Sequence, residues 1–219
     1  MSDSRYLVPY EEHATDRFEE KKSKFIGDIY RVETPEQAVE KLNEVKNKYR
    51  DARHHCYAYI IREGNYMRYS DDGEPQGTAG MPILEVLRHA GVTNVCCVVT
   101  RYFGGILLGT GGLARAYTKG AKIALEAAGL SQMDRYSVML VSCPYNLHDT
   151  VQKLLPQHDA SVDNIEYGAD VTLTIALPEG GEDALNTALM DATAGQVTAE
   201  YIESRFMGRR VPSSDTTEK

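Results

Sequence analysis

Residues 92–129 read VTNVCCVVTRYFGGILLGTGGLARAYTKGAKIALEAAG and contain three successive local patterns. Val92–Tyr102 is apolar without the alternation of a half-exposed strand, which predicts a strand in the centre of a sheet. Five glycines predict a turn over Phe103–Gly112. Apolar residues at helical spacing then predict a helix over Leu113–Ala128, which Gly129 terminates. A strand, a turn and a helix in this order need further strands and helices to bury their apolar faces.

The residues before this segment predict the rest of a first domain. Apolar residues between Tyr10 and Val32, interrupted by the Lys21–Lys24 cluster, predict two short strands joined by a turn. Thr34 and Gln37 can form a capping box, which places the start of a helix at Pro35. The remaining predicted elements are helix Pro35–Arg50, strand His54–Arg62, loop Tyr69–Gly80 and helix Pro82–Ala90.

The second half of the chain predicts a ferredoxin-like domain with the order βαββαβ. Its predicted elements are strand Tyr136–Ser142, helix Tyr145–Gln157, strands Ser161–Glu166 and Asp170–Leu177, helix Glu182–Thr193 and strand Gln196–Glu203. We therefore expect an α+β protein with one domain over residues 1–132 and another over residues 133–206. The polar residues 207–219 are expected to form a disordered tail.

Composition and charge limit the possible functions. The chain has 219 residues, of which 42% are apolar and 26% charged, as in ordinary globular proteins. The first residues lack the apolar core of a signal peptide and the four cysteines have no paired spacing, so we expect a cytoplasmic protein. Residues 1–134 contain 18 Lys and Arg against 19 Asp and Glu, whereas residues 135–219 contain 6 against 13. A polyanion would meet less repulsion at the first domain.

The glycine-rich segment from Arg101 to Arg115 is the first candidate site. Glycine permits positive φ and close approach of a ligand, and a helix N-terminus presents N–H groups that suit a phosphate. The two arginines could add charge-assisted hydrogen bonds. The candidate phosphate-binding residues are Arg101, Gly104, Gly105, Gly109, Gly111, Gly112 and Arg115. The alternative is a turn whose glycines serve packing only.

Two nucleotide-binding motifs contain glycine-rich segments of this kind. The Walker A loop is excluded because no lysine follows Gly109, where Thr110 stands instead. The pattern Gly109-x-Gly111-x-x-Ala114 is a weak match to a dinucleotide fingerprint, because the preceding turn is too long and no acidic residue follows at the required distance.

A second candidate site combines acidic residues with histidine. Asp71, Asp72 and Glu74 have the ligand type that a hard divalent cation prefers, although an Asp-Gly turn is more often a solvated turn. His54 is the acid–base candidate near neutral pH. Cys56 lies beside it, but a Cys–His pair so close along one strand rarely has catalytic geometry.

Three blocks of the chain together resemble the IMPACT/YigZ family. They are Ala52–Cys56 (ARHHC), Tyr69–Pro82 (YSDDGEPQGTAGMP) and Val99–Tyr117 (VTRYFGGILLGTGGLARAY), in the order that the family has. The resemblance implies that the first domain is a sheet with helices packed on one face, similar to the fourth domain of the translocating elongation factor. It implies for the second domain a likeness to the fifth domain of that factor. The three blocks should form one surface, which adds Arg53, His54, Thr78 and Tyr102 to the candidate ligand-binding residues.

The resemblance implies a binding function more than a reaction. Eukaryotic relatives regulate translation with an additional N-terminal domain that we do not expect in this chain. We favour a protein that is not an enzyme and has no cofactor, and that binds ribosomal RNA or a translation component through the first domain. The acidic second domain would face a protein partner, and no membrane is involved.

Two other functions stay open at this stage. One is a hydrolase or transferase for a phosphorylated small molecule, with a divalent cation at Asp71, Asp72 and Glu74 and His54 as the acid–base group. The other is an interaction adaptor whose glycine-rich segment is structural.

Overall fold

The computed structural model describes residues 5–212. These residues fall into two compact units, of which one contains Tyr6–Gln132 with residues 209–212 and the other contains Arg5 with Met133–Gly208. The combination of sheets and helices confirms the α+β class. Within residues 5–212, none of the helices combines the length and the apolar character that a membrane span requires.

The first unit is built around a five-stranded antiparallel sheet. Its strands are β2 (His13–Glu20), β3 (Ser23–Arg31), β4 (His54–Ile61), β5 (Tyr66–Ser70) and β6 (Val95–Tyr102), and they follow the short strand β1 (Arg5–Pro9). The spatial order in the sheet is β2-β3-β6-β4-β5, so the predicted apolar strand β6 is central. All neighbouring pairs are antiparallel.

Three helices complete this unit, and they are α1 (Pro35–Lys48), α2 (Gly80–His89) and α3 (Gly109–Ala128). The predicted N-cap of α1 is confirmed, because Thr34 Oγ1 accepts a hydrogen bond of 3.3 Å from the N–H of Gln37. Helix α3 begins four residues before the predicted start, so that Gly109, Gly111 and Gly112 belong to its first turn.

The sheet carries helices on both of its faces. Cys97 and Val99 of β6 share a buried cluster with residues of α2 and α3, whereas Cys96 and Val98 share one with residues of α1. Successive residues of a strand point to opposite faces, so α1 covers the face opposite α2 and α3. The expectation of helices on one face only is therefore wrong. The continuous apolar run of β6 already reflected burial on both faces.

Glycines allow α3 to lie very close to the sheet. A Cβ atom added to Gly27 of β3 would lie 2.4 Å from the carbonyl oxygen of Gly120. A Cβ atom on Gly120 would lie 2.8 Å from Cγ1 of Val99. The close packing fixes the first turn of α3 beside the end of the sheet where the candidate residues lie.

The second unit has the predicted βαββαβ order. Its elements are β7 (Leu130–Cys143), α4 (His148–Leu154), β8 (Ser161–Tyr167), β9 (Val171–Pro178), α5 (Glu182–Ala192) and β10 (Ala199–Arg210). These four strands have the spatial order β10-β7-β9-β8. A separate buried cluster that includes Met139, Leu155, Leu173 and Leu185 forms the core.

Two expectations at the ends of elements are corrected. Tyr69 and Ser70 lie in β5 and not in a loop. Strand β10 continues to Arg210, and the N–H of Val211 donates a hydrogen bond of 2.8 Å to the carbonyl oxygen of Leu130. A tail starting at residue 207 is therefore wrong for residues 207–210. Residues 213–219 lie outside the described residues.

Candidate functional site

The three sequence blocks meet at one end of the five-stranded sheet. In the sheet register, Arg101 of β6 lies opposite Phe25 of β3 and opposite His54 of β4. Ser70, the last residue of β5, lies opposite Tyr57 near the start of β4. The loop after β5 and the glycine-rich segment after β6 consequently leave the sheet at the same end.

Arg101 is buried at the centre of this end. Its Nη1 donates a hydrogen bond of 2.7 Å to Oε1 of Glu74, and its Nη2 donates one of 3.4 Å to Oγ of Ser23. The guanidinium carbon lies 5.4 Å from the ring centroid of Phe103 and 5.6 Å from that of Phe25. The side chains of Arg101 and Glu74 are only 6% and 4% exposed. This ion pair gives Arg101 the role of holding the blocks together, so we no longer assign it to phosphate binding.

Glu74 connects the sheet to α3. Its Oε1 also accepts a hydrogen bond of 2.8 Å from Oη of Tyr117. Nearby, Sγ of Cys56 donates to the carbonyl oxygen of Asp71 at 2.9 Å. Burial raises the pKa of the Cys56 thiol, and the surrounding carboxylates raise it further. Because the thiolate is the nucleophile, a thiol with a raised pKa does not support the Cys–His alternative.

The carboxylate of Asp71 is engaged by backbone N–H groups at the start of α2. Oδ1 accepts hydrogen bonds from Ala79 (3.0 Å) and Gly80 (2.9 Å), and Oδ2 accepts one from Gly77 (2.8 Å). These bonds satisfy N–H groups that a helix start leaves without partners. The hydroxyl of the buried Thr78 donates within the same loop, to the carbonyl oxygen of Pro75 at 2.6 Å. Asp71 and Thr78 therefore shape the loop.

The carboxylate of Asp72 contacts residues of β4 and α1. Its Oδ2 accepts a hydrogen bond of 2.7 Å from the N–H of His55, and its Oδ1 lies 3.4 Å from Nζ of Lys46. Its carbonyl oxygen lies 3.0 Å from Nδ1 of His54.

The predicted hard-cation site at Asp71, Asp72 and Glu74 is corrected by these contacts. Each of the three carboxylates has its own protein partners, which are N–H groups at the start of α2 for Asp71, the N–H of His55 for Asp72 and Arg101 for Glu74. Within residues 5–212, no group of three or more His, Cys, Asp or Glu side chains is placed to hold a metal ion. The three residues organise the loop between β5 and α2, and the enzyme alternative loses its predicted cation ligands.

The glycines after β6 serve different purposes. A Cβ atom on Gly104 would lie 2.0 Å from the carbonyl carbon of Lys22, and the N–H of Gly104 donates to Oγ of Ser23 at 3.2 Å. Gly104 is therefore required by the close approach of the β2–β3 hairpin. Gly105 and Gly109 have φ of +83° and +71°, and nothing lies within 4 Å of a Cβ atom at either position. These two glycines shape the segment and leave the space beside it open.

Tyr102 and Arg53 lie at the edge of this region. Oη of Tyr102 donates a hydrogen bond of 2.7 Å to Oδ1 of Asp51, and Nζ of Lys24 lies 5.9 Å from its ring centroid. Burial, together with the hydrogen bond to Asp51, raises the pKa of Tyr102 to about 12, so its hydroxyl stays protonated at neutral pH. Arg53 is exposed next to His54.

A pocket of about 240 Å³ lies between the β2–β3 hairpin and the first turns of α3. Lys21, Arg115 and Lys119 line it, and its other lining residues are Phe18, Glu20, Leu108, Gly112 and Ala116. Nη1 of Arg115 lies 3.5 Å from the position of a Cβ atom on Gly111, so the guanidinium folds back over the first turn. The N-cap residue Leu108 forms no side-chain hydrogen bond to that turn.

The cations that line this pocket, Lys21, Arg115 and Lys119, have no carboxylate partner among residues 5–212, in contrast to Lys46 and Arg101. The same holds for three further cations at this end of the sheet, Lys22, Lys24 and Arg53. Lys119 is not among the candidate residues predicted from the sequence. Its position four residues after Arg115 on a predicted helix was the signal that could have found it.

Comparisons with known proteins agree with the two-unit architecture. Residues 21–125 match the Impact N-terminal domain, and residues 141–196 match a domain of unknown function, DUF1949. The chain therefore belongs to the IMPACT family.

Among its relatives is IMPACT family member YigZ from Escherichia coli (strain K12), which is 37% identical over 84% of this chain and 91% of that protein. IMPACT family member YvyE from Bacillus subtilis (strain 168) is 34% identical over 90% of this chain and 91% of that protein. A solved structure described as the crystal structure of a hypothetical protein is 35% identical, with a TM-score of 0.58, and the match covers 91% of this chain and 98% of that one.

Proposed function

We propose that this protein acts in the cytoplasm and binds RNA of the ribosome or of another translation component through the pocket at the start of α3. The carrying observation is that Lys21, Arg115 and Lys119 line one pocket, where only Glu20 has the opposite charge. Lysines and arginines that have no carboxylate partner and lie beside a helix N-terminus provide the groups that contact nucleic-acid phosphates.

The distribution of the cations favours a polyanion over a single small anion. Lys22 follows Lys21 in the hairpin. Lys24 of β3 and Arg53, which directly precedes β4, lie at the same end of the sheet on the two sides of β6. The side chain of Lys24 lies over Tyr102, on the face of the sheet opposite α3. A chain of phosphates can contact several separated cations at once, whereas one phosphate group fills a single pocket. Phe103, which directly follows β6 at this end of the sheet, is 47% exposed and offers a ring on which an unpaired base can stack.

The link to translation rests on the family resemblance. The resemblance implies that the eukaryotic relatives regulate translation. A site for RNA phosphates is consistent with a role at the ribosome. Contact with phosphates positions a protein on RNA without reading its sequence. We therefore expect recognition of RNA shape or of unpaired segments more than of a fixed sequence.

The test measures binding of a fluorescein-labelled RNA stem-loop by fluorescence anisotropy, followed by co-sedimentation with ribosomes. The double variant Arg115→Ala/Lys119→Ala should weaken binding about tenfold or more and make the logarithmic salt slope shallower by about 1 to 2. Lys122→Ala is the matched control, because Lys122 lies on α3 but lines the separate groove between α2 and α3. Its affinity should stay within about twofold of that of the wild type.

The proposal is wrong if the wild type binds neither the RNA nor ribosomes at low salt. It is also wrong if binding does not weaken as salt rises, or if the double variant and Lys122→Ala lose affinity equally.

A further inference from the structure

Three aromatic rings of the second unit form a cluster beside the turn between β8 and β9. The rings of Tyr145 and Tyr167 have centroids 6.5 Å apart and planes inclined by 26°, and His148 lies edge-on to Tyr167 at 6.2 Å. Oη of Tyr145 donates a hydrogen bond of 2.9 Å to the carbonyl oxygen of Gly168, which fixes this side chain against the turn. Tyr145 and Tyr167 are nevertheless 56% and 66% exposed. They form an ordered aromatic surface that is open to solvent.

Two exposed carboxylates belong to the segments that carry this aromatic cluster. Asp149 follows His148 at the start of α4, and Asp170 belongs to the turn to which Tyr145 is hydrogen-bonded. The unit Met133–Gly208 contains 3 Lys and Arg against 12 Asp and Glu, a net charge of −9. Two of the three cations are held in ion pairs, Arg135 with Glu179 and Arg205 with Asp163. The negative charge of this surface is therefore largely uncompensated within the unit.

In the first unit, by contrast, lysine side chains lie over aromatic rings. There, Lys24 lies over Tyr102, Lys41 over Tyr30 and Lys119 over Phe18, at 4.5 to 5.9 Å from the ring centroids. Among the described residues, no lysine or arginine lies over Tyr145 or Tyr167. A cation from another molecule would find both an open ring face and nearby carboxylates.

We propose that the cluster of Tyr145, His148 and Tyr167 is a docking surface for an arginine-rich segment of a partner protein. A guanidinium group is planar and stacks on an aromatic face while its N–H groups reach carboxylates. The carboxylates Asp149 and Asp170 supply those acceptors. Nucleic acid is disfavoured as the occupant because its phosphates would be repelled by the charge of −9. This surface lies outside the RNA site proposed above, and the inference does not depend on that site.

The experiment measures binding of a labelled nine-residue peptide with arginine at every third position to the full chain by fluorescence anisotropy. A second peptide carries lysine at the same positions. Tyr167→Ala should weaken binding of the arginine peptide about fivefold or more, whereas Tyr167→Phe, which keeps the ring face, should retain it. The arginine peptide should bind more tightly than the lysine peptide of equal charge.

Tyr201→Ala is the matched control. Tyr201 is 58% exposed on β10, which forms the opposite edge of the four-stranded order from β8. The affinity of Tyr201→Ala for the arginine peptide should stay within about twofold of that of the wild type. Equal binding of both peptides, or equal loss in Tyr167→Ala and Tyr201→Ala, would show non-specific charge attraction and overturn the proposal. The proposal would also be overturned if an RNA oligonucleotide bound the wild type and this binding were lost in Tyr167→Ala.

Discussion

At the scale of single residues, the buried pair of Arg101 and Glu74 shows how a functional pattern in a sequence can have a structural purpose. Arginine beside a glycine-rich segment suggested a phosphate ligand. In the structure its guanidinium group is matched by a carboxylate from a loop 27 positions earlier in the chain. A pairing over this distance is not visible in local spacing, so the sequence could not distinguish the two roles.

Arg101→Ala should lower the free energy of unfolding by roughly 3 to 5 kcal/mol, because it leaves the buried carboxylate of Glu74 without its cation. Urea unfolding followed by circular dichroism measures this. Arg88→Ala serves as the comparison, since Arg88 is 57% exposed and pairs with Glu85 on the surface of α2. Arg88→Ala should lower the free energy of unfolding by less than about 1 kcal/mol. Similar costs for the two variants would contradict the structural role of Arg101.

The lowered pKa of Glu182 predicts that the free energy of unfolding depends on pH. Partial burial by itself raises the pKa of this carboxyl group, but hydrogen bonds from Ser137 and from the N–H groups of Gly180 and Glu182 outweigh it, so that the pKa lies below 4.5. The native state therefore favours the ionised form. This contribution to stability is present above pH 4.5 and disappears as the pH falls through the lowered pKa.

The measurement compares Glu182→Gln with the wild type in urea unfolding between pH 3 and pH 7. The wild type should be the more stable protein near pH 7, and the difference should shrink toward pH 3. Ser137→Ala, which removes one of the hydrogen bonds, should show a weaker dependence on pH than the wild type. A difference that is constant over this range would be inconsistent with the lowered pKa.

At the scale of elements, the glycines after β6 divide into those that packing requires and those that it does not. Gly104 faces the backbone of the β2–β3 hairpin, whereas Gly111 is in the first turn of α3 with only the flexible end of Arg115 nearby. The sequence presents these glycines as one run. Their different roles follow from which neighbouring element approaches each of them.

Gly104→Ala should destabilise the first unit by roughly 1 to 3 kcal/mol, because the new Cβ atom would overlap the carbonyl group of Lys22. Gly111→Ala should be neutral or stabilising by up to about 1 kcal/mol, since alanine has the higher helix propensity. Chemical unfolding of the two variants beside the wild type measures both effects. A destabilisation by Gly111→Ala equal to that by Gly104→Ala would refute this division of roles.

The sequence largely predicted which segments form helices and which form strands. It did not predict which of these elements pack against each other. The cap at Thr34, the apolar run of β6 and the glycine after α3 carry local signals that predicted their helices and strand correctly. Strand β5 was missed because its residues Tyr66, Met67, Arg68 and Tyr69 are exposed and lack a buried apolar face. The apolar run of β6 indicates burial on both faces of the sheet, but periodicity does not say which helix covers each face. The pocket that includes Lys119 likewise depends on which elements pack together.

At the scale of the whole molecule, the chain leaves the first unit after Gln132 and returns to it at Arg209. The returning residues make defined contacts there. The N–H of Val211 bonds to Leu130 O at 2.8 Å, and the guanidinium carbon of Arg210 lies 4.5 Å from the ring centroid of Tyr10. Met133–Gly208, by contrast, is continuous in sequence and has its own core.

Truncation after Gly208 should therefore destabilise the first unit by about 1 to 2 kcal/mol through the lost hydrogen bond and cation–π contact. Hydrogen exchange of the backbone amides near Tyr10 and Leu130 should become faster, while exchange in the core strands β7 and β9 around Val141 and Leu173 should change little. The comparison with truncation after Pro212 controls for loss of residues 213–219. Equal exchange in the two truncated chains would argue against a stabilising role for residues 209–212.

The return of the chain to the first unit also has a consequence for synthesis. Domains fold in the order in which they leave the ribosome. Here the segment that closes over Tyr10 and Leu130 is made only after all of Met133–Gly208. A nascent chain that stops within the second unit would carry a first unit lacking these contacts, and would be open to proteases at Tyr10 and Leu130 until Val211 has left the ribosome.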